Sequence, residues 1–142
     1  ERGHAWAHAL DLLHDMRGRG VRTDAITWNT VISALGKAQE CPQALELLAQ
    51  MQRSCVRPNV TTYNSSITAC ERAGQWPLAL GLLGEMRQRG CVPDVITFGA
   101  CVGACARAAE WARALALLAG AERSGLRLNA AACNAAISAC EK

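Results

Sequence analysis

Aromatic side chains are scarce in this 142-residue chain: four tryptophans, one tyrosine and one phenylalanine. Only four prolines interrupt it, while alanine occurs 27 times. Such a composition disfavours a sheet with a bulky core and favours helices packed through small side chains. No uninterrupted apolar run approaches the roughly 18 residues that a membrane-spanning helix needs, so no membrane partner is expected. With 51% hydrophobic and 19% charged residues the chain is too apolar to be disordered, and its length suits one domain. A formal charge of +3 permits an anionic partner without demanding one.

Eight cysteines would ordinarily suggest a disulfide framework or a zinc site, but C-x-x-C is absent. All three histidines (His4, His8, His14) lie within the first fourteen residues, away from most cysteines. No H-x-E accompanies a C-x-x-C, and no carboxylates cluster to hold a metal. Metal, cofactor and catalysis are therefore not expected of this chain. Cys70, Cys105 and Cys140 are spaced by 35 residues with Leu35 in the same register. A cysteine that alternates with leucine fills space as a small hydrophobe, which suits a reducing compartment.

That interval of 35 runs through the whole sequence. Asp24, Asn59, Asp94 and Asn129 form one column; Thr27, Thr62, Thr97 and Ala132 another; Trp28, Tyr63, Phe98 and Cys133 a third. Asn29, Asn64, Gly99 and Asn134 follow, and in the second half of each unit Ala44, Ala79 and Ala114 precede leucines. Trp6, Cys41, Trp76 and Trp111 start those second halves and are expected to pack between units. Each unit reads as two helices. The first, near 26–37, carries Trp28, Val31, Ile32 and Leu35 at helical spacing; the second, near 42–53, carries Ala44, Leu45, Leu48 and Met51. The Asp/Asn column caps first helices, Pro42 and Pro77 suit a first turn, and Gly20, Gly90 and Gly125 suit left-handed ends. A hairpin of this size cannot bury its apolar faces alone, so the hairpins must stack. Complete units are expected at 25–59, 60–94 and 95–129. Residues 1–24 read as the tail of an earlier unit and 130–142 as the first helix of a later one, a segment of a longer solenoid.

Val60-Thr61-Thr62-Tyr63-Asn64, Ala79-Leu80 followed by Met86, and Gly90-Cys91-Val92-Pro93-Asp94 resemble pentatricopeptide repeats over essentially the full chain. The resemblance implies an all-α, right-handed α-solenoid of stacked 35-residue helical hairpins, a superhelix like that of tetratricopeptide repeats. It also implies sequence-specific binding of single-stranded RNA, one base per repeat. The setting it implies is RNA processing, stability, editing or translation in the chloroplast or mitochondrion. A protein-binding scaffold like tetratricopeptide proteins is the alternative. Other proteins, or self-association through uncapped solenoid ends, are the further contacts expected.

In that family two side chains of a repeat face the base. Carried over, the pairs are Asn29 with Asn59, Asn64 with Asp94, and Gly99 with Asn129. Asp24 would complete an upstream unit and Asn134 begin a downstream one. Asn64 with Asp94 resembles the uracil-reading combination, and Asn29 with Asn59 the pyrimidine combination that leans to cytosine. Gly99 departs from the pattern and leaves its base unspecified. Ile26, Thr61 and Ile96 occupy the place of the base-sandwiching residue, where Thr61 departs from the usual aliphatic. Lys37, Arg72, Arg107 and Lys142 end the first helices as a column of cations, the place of the family's phosphate contacts.

Overall fold

A computed structural model describes residues 2–141. Among them are eight helices and no strand: α1 (Arg2–Gly18), α2 (Ala25–Lys37), α3 (Cys41–Arg53), α4 (Val60–Arg72), α5 (Trp76–Gln88), α6 (Val95–Arg107), α7 (Trp111–Arg123) and α8 (Ala130–Glu141). No helix is long and apolar enough to cross a membrane. The helix starts follow from local chemistry. Asp24, Asn59 and Asp94 are extended N-caps whose side chains accept from the third helical N–H, and at Asn59 and Asp94 the threonine there returns the favour as a capping box. Pro42 and Pro77 stand in the first turns of α3 and α5, where a missing N–H costs little.

Second helices end in left-handed residues at Gly20, Gly90 and Gly125. In each case the following N–H reaches back a full turn, as Cys91 does to Met86 (3.0 Å). Cys55 takes the same place with φ 62°, a conformation that costs a side-chain-bearing residue about 1 kcal/mol.

Backbone contacts define two layers. The first helices α2, α4, α6 and α8 touch in series, whereas no two of α1, α3, α5 and α7 approach within 8 Å at their Cα atoms. The result is an α-solenoid with a tight inner layer and a splayed outer one. Long polar side chains bridge the outer gaps: Arg17 donates to Gln50 (3.0 Å) and Gln52 to Glu85 (3.3 Å). Between the layers the aromatic column Trp28, Tyr63 and Phe98 is fully buried, and Ala44, Ala79 and Ala114 admit close helix approach.

Cys41, Cys70, Cys101 and Cys105 are buried in this core, and all eight cysteines are free thiols. Cys140 of the same column is exposed on α8. Trp76 packs between units, with the Arg113 guanidinium 4.7 Å above its ring. Trp111, expected to pack likewise, is half exposed because no described helix lies over it as α7 lies over Trp76.

Candidate nucleic-acid interface

Stacking the first helices brings side chains from successive units together at the N-terminal ends of α4 and α6. Asn29 in α2 donates through Nδ2 to Asn59 Oδ1 (3.2 Å), which also accepts the Thr62 N–H (3.0 Å). Thr62 Oγ1 donates to Asn29 Oδ1 and accepts the Asn59 N–H (3.1 Å). The next unit repeats the arrangement. Asn64 donates to Asp94 Oδ1 (3.1 Å), Asp94 accepts the Thr97 N–H (3.0 Å), and Thr97 Oγ1 donates to Asn64 Oδ1. Asn29 and Asn64 are buried, 9% and 8% exposed, which is unusual for asparagine and is stabilised by these partners.

The third unit lacks both ends of the network. Gly99 has no side chain, and Ala132 replaces the threonine; Asn129 still caps α8 by accepting the Ala132 N–H (2.9 Å). Asp24 accepts from the Thr27 N–H and hydroxyl (3.0 Å each) with no asparagine opposite it among the described residues, and Asn134 is exposed on α8. Every member of the Asp/Asn column is thus a helix cap, and two of them are also joined to an asparagine of the preceding first helix.

Each network opens onto a groove. The first is lined by Ile26, Asn29, Lys37, Asn59 and Thr61. The second has Thr61, Asn64, Asp94 and Ile96, with Lys37 and Arg72 at its rim. Ile96, Gly99, Asn129 and Ala131 line the third. Thr61 borders the first and second grooves and Ile96 the second and third, so each groove lies between the same positions of adjacent helices. Ile26 and Ile96 are 75% and 62% exposed, apolar surface offered to whatever enters.

Lys37, Arg72 and Arg107 are exposed, and among the described residues none has an ion-pair partner within 4.0 Å. Lys142 lies outside the described residues.

Burial pushes the Asp94 carboxyl upward, but the Thr97 N–H and hydroxyl and the Asn64 amide outweigh it and hold the group below the usual 3.8. The hydrogen bonds from Thr27 hold Asp24 below that value too. Glu71, in the third groove, moves the other way: burial raises it, against the pull of Arg107 and Arg72.

Thr62, Thr97, Ala131 and Glu71 were not among the residues expected at the site. The threonines carried a signal, since their column loses its hydroxyl at Ala132, one unit after Gly99 replaces asparagine.

The sequence profile of the PPR repeat family matches residues 23–72 and 58–107, together more than half of the chain. The chain belongs to the PPR repeat family. No curated protein sequence matches it. Among solved structures, the pentatricopeptide repeat protein PPR10 from maize is 33% identical over 97% of this chain, with a TM-score of 0.76. PPR10 in complex with an 18-nt psaJ RNA element is 31% identical over 95% of it, with a TM-score of 0.82. This PPR chain spans 20% of PPR10. The PPR domain of Arabidopsis thaliana protein-only RNase P 1, solved in complex with tRNA, shares the fold. Its TM-score is 0.85 at 18% identity, over 94% of this chain and 71% of that one.

Proposed function

We propose that this segment binds single-stranded RNA through its inner layer, one base per groove, as part of organelle RNA processing, stability, editing or translation. The observation that carries the reading is the repetition of one polar network in consecutive grooves, each between exposed second residues of adjacent helices. Ile26, Thr61 and Ile96 would flank successive bases, and Lys37, Arg72, Arg107 and Lys142 would meet phosphates. The maize relative's complex with an RNA element supports this reading.

Hydrogen-bond counting gives the two complete sites different faces. Asn64 spends Oδ1 on Thr97 and one Nδ2 proton on Asp94, leaving one N–H to offer. Asp94 spends Oδ1 on the cap and keeps Oδ2 as a free acceptor. A donor beside an acceptor accommodates uracil, whose N3–H requires an acceptor and whose carbonyl requires a donor. At the first site Asn59 spends Oδ1 likewise but its remaining group is an amide NH2. Two donors have nothing for a uracil N3–H and suit cytosine N3 and O2. The third site has no reader at Gly99 and is unselective.

Fluorescence anisotropy with labelled 12-mers tests this: U/C-rich RNA, A-rich RNA, and the U/C-rich sequence as DNA. The U/C-rich RNA should bind best, and Asp94→Asn should move the second position from uracil towards cytosine. Equal binding of all three oligomers, unmoved by the variant, would reduce the interaction to charge. No binding at all, in this chain and in a longer array, would favour a protein-binding scaffold.

A further inference from the structure

We propose that the hydroxyls of Thr62 and Thr97 fix which way the Asn29 and Asn64 amides face, so that each base site is completed by a positioning residue of the following repeat. The proposal deepens the RNA-reading assignment and rests on it for its consequence in base choice.

A threonine hydroxyl has one proton to donate. Thr97 Oγ1 accepts the Asp94 N–H (3.1 Å), and its own proton points to the Asn64–Asp94 pair, with Asn64 Oδ1 the nearer oxygen. Turning the amide over would place Asn64 Oδ1 against an Asp94 carboxylate oxygen, 3.1 Å away, acceptor facing acceptor. It would also take the hydroxyl proton away from Asn64 Oδ1, leaving Asp94 Oδ1 as its acceptor and the turned amide oxygen without a donor. In a buried position an amide oxygen that faces an acceptor and has lost its donor is costly, so the amide has one sense only. The same holds at Asn29, where Asn59 Oδ1 is committed to the cap. The single Nδ2 proton left over is what a base can meet. Without the hydroxyl, Oδ1 becomes a second, competing acceptor at the site, and the distinction between a donor and an acceptor face is lost.

The third unit separates this role from capping. Asn129 caps α8 through the Ala132 N–H with no hydroxyl present, so the cap does not need the threonine. Where the hydroxyl is missing, the asparagine it would orient is missing too: Gly99 faces Ala132.

The test uses the 142-residue chain with Thr97→Val, which keeps the shape, and Thr97→Ser, which keeps the hydroxyl. Nitrogen-15 relaxation of the Asn64 side-chain amide should show backbone-like rigidity in the parent and the serine variant, and added motion in the valine variant. In the anisotropy assay the ratio of uracil to cytosine affinity at the second position should fall about fivefold in Thr97→Val, the worth of one ordinary hydrogen bond, and recover in Thr97→Ser. A folded valine variant with an equally rigid amide and an unchanged ratio overturns the proposal. If the parent chain shows no base preference, the RNA-reading assignment fails, while the amide relaxation still decides whether the hydroxyl holds the asparagine. Should Thr97→Val not fold, the third site supplies the converse. A Cβ on Gly99 meets nothing within 4 Å. Gly99→Asn with Ala132→Thr should create a pyrimidine preference there that Gly99→Asn alone does not, and equal behaviour of the two would overturn the proposal.

Discussion

The Glu71 carboxyl group lies in the space that a side chain on residue 103 would occupy: a Cβ built on Gly103 would stand 3.0 Å from the Glu71 Cδ. The acid of α4 is thereby folded onto α6 in the third groove, half-buried beside Arg72 and Arg107. Burial raises its pKa more than those arginines lower it. The folded chain therefore holds this proton to higher pH than the unfolded chain does. Its contribution to stability falls as pH climbs from the unfolded value near 4.5 through the raised folded one. Glu71→Gln should remove that decline. Thermal midpoints of the parent and variant between pH 4 and 8 check this: the variant should gain on the parent as pH rises, and parallel curves would refute the assignment.

Tyr63 offers a second prediction, from an unmet hydrogen bond. Its ring is fully buried and its hydroxyl has no hydrogen-bond partner among the described residues. Burial, then the charge of Glu85 nearby, pushes the phenol pKa up to about 12. The equivalent position in the next unit is Phe98, buried without any polar atom. Tyr63→Phe should therefore leave stability unchanged or raise it by up to about 1 kcal/mol, because an unsatisfied polar group is removed from the core. Urea unfolding measures it. A loss beyond about 1 kcal/mol would mean that the hydroxyl does bond to Glu85.

The cation column predicts a salt dependence. If Lys37, Arg72 and Arg107 each neutralise one phosphate, together they contribute about −2 to the slope of log affinity against log salt, at about −0.7 per contact on a single strand. Alanine at any one of the three should make the slope shallower by about 0.7 and weaken all RNA sequences alike. A variant that changes base preference instead would move that residue from the backbone to the base.

Much of this was legible because a period of 35 displays each structural position about four times. The alternation of Cys70 and Cys105 with Leu35 announced core positions, and all three are buried. Helix α2 starts one residue before its expected first residue, and so does α3. Contacts between units were harder to see. Thr62 and Asn29 are 33 residues apart, and the threonine's ordinary place in a capping box gave no reason to look further. Glu71 belongs to a column with no constant chemistry, Gly36–Glu71–Ala106–Glu141, and Gly103 is the one break in a hydroxyl column, Ser33–Thr68–Gly103–Ser138. An interaction made once in a repeat array leaves no periodic trace. Trp111 shows the same limit from the other side. It stands in the same column as Trp76, but burial depends on the neighbour that covers it.

The two kinds of cap should differ in worth. Asn129 accepts one backbone N–H, whereas Asp94 accepts the Thr97 N–H and also the Asn64 amide. Asn129→Ala should cost about 1 kcal/mol, the ordinary value of an N-cap, and Asp94→Ala about 2 kcal/mol, the top of that range, because it also strips a buried amide of its acceptor. The Asp94 increment carries a pH signature. Its carboxyl is held below 3.8 in the folded chain, so the stabilisation of the charged form is fully present above the unfolded value and is lost as pH falls through the folded one. Urea unfolding at pH 7 and pH 3 distinguishes the two. The Asp94→Ala deficit should shrink in acid while that of Asn129→Ala stays constant, and an Asp94 deficit that is equal at both pH values would show that the charge contributes nothing beyond the shape of the cap.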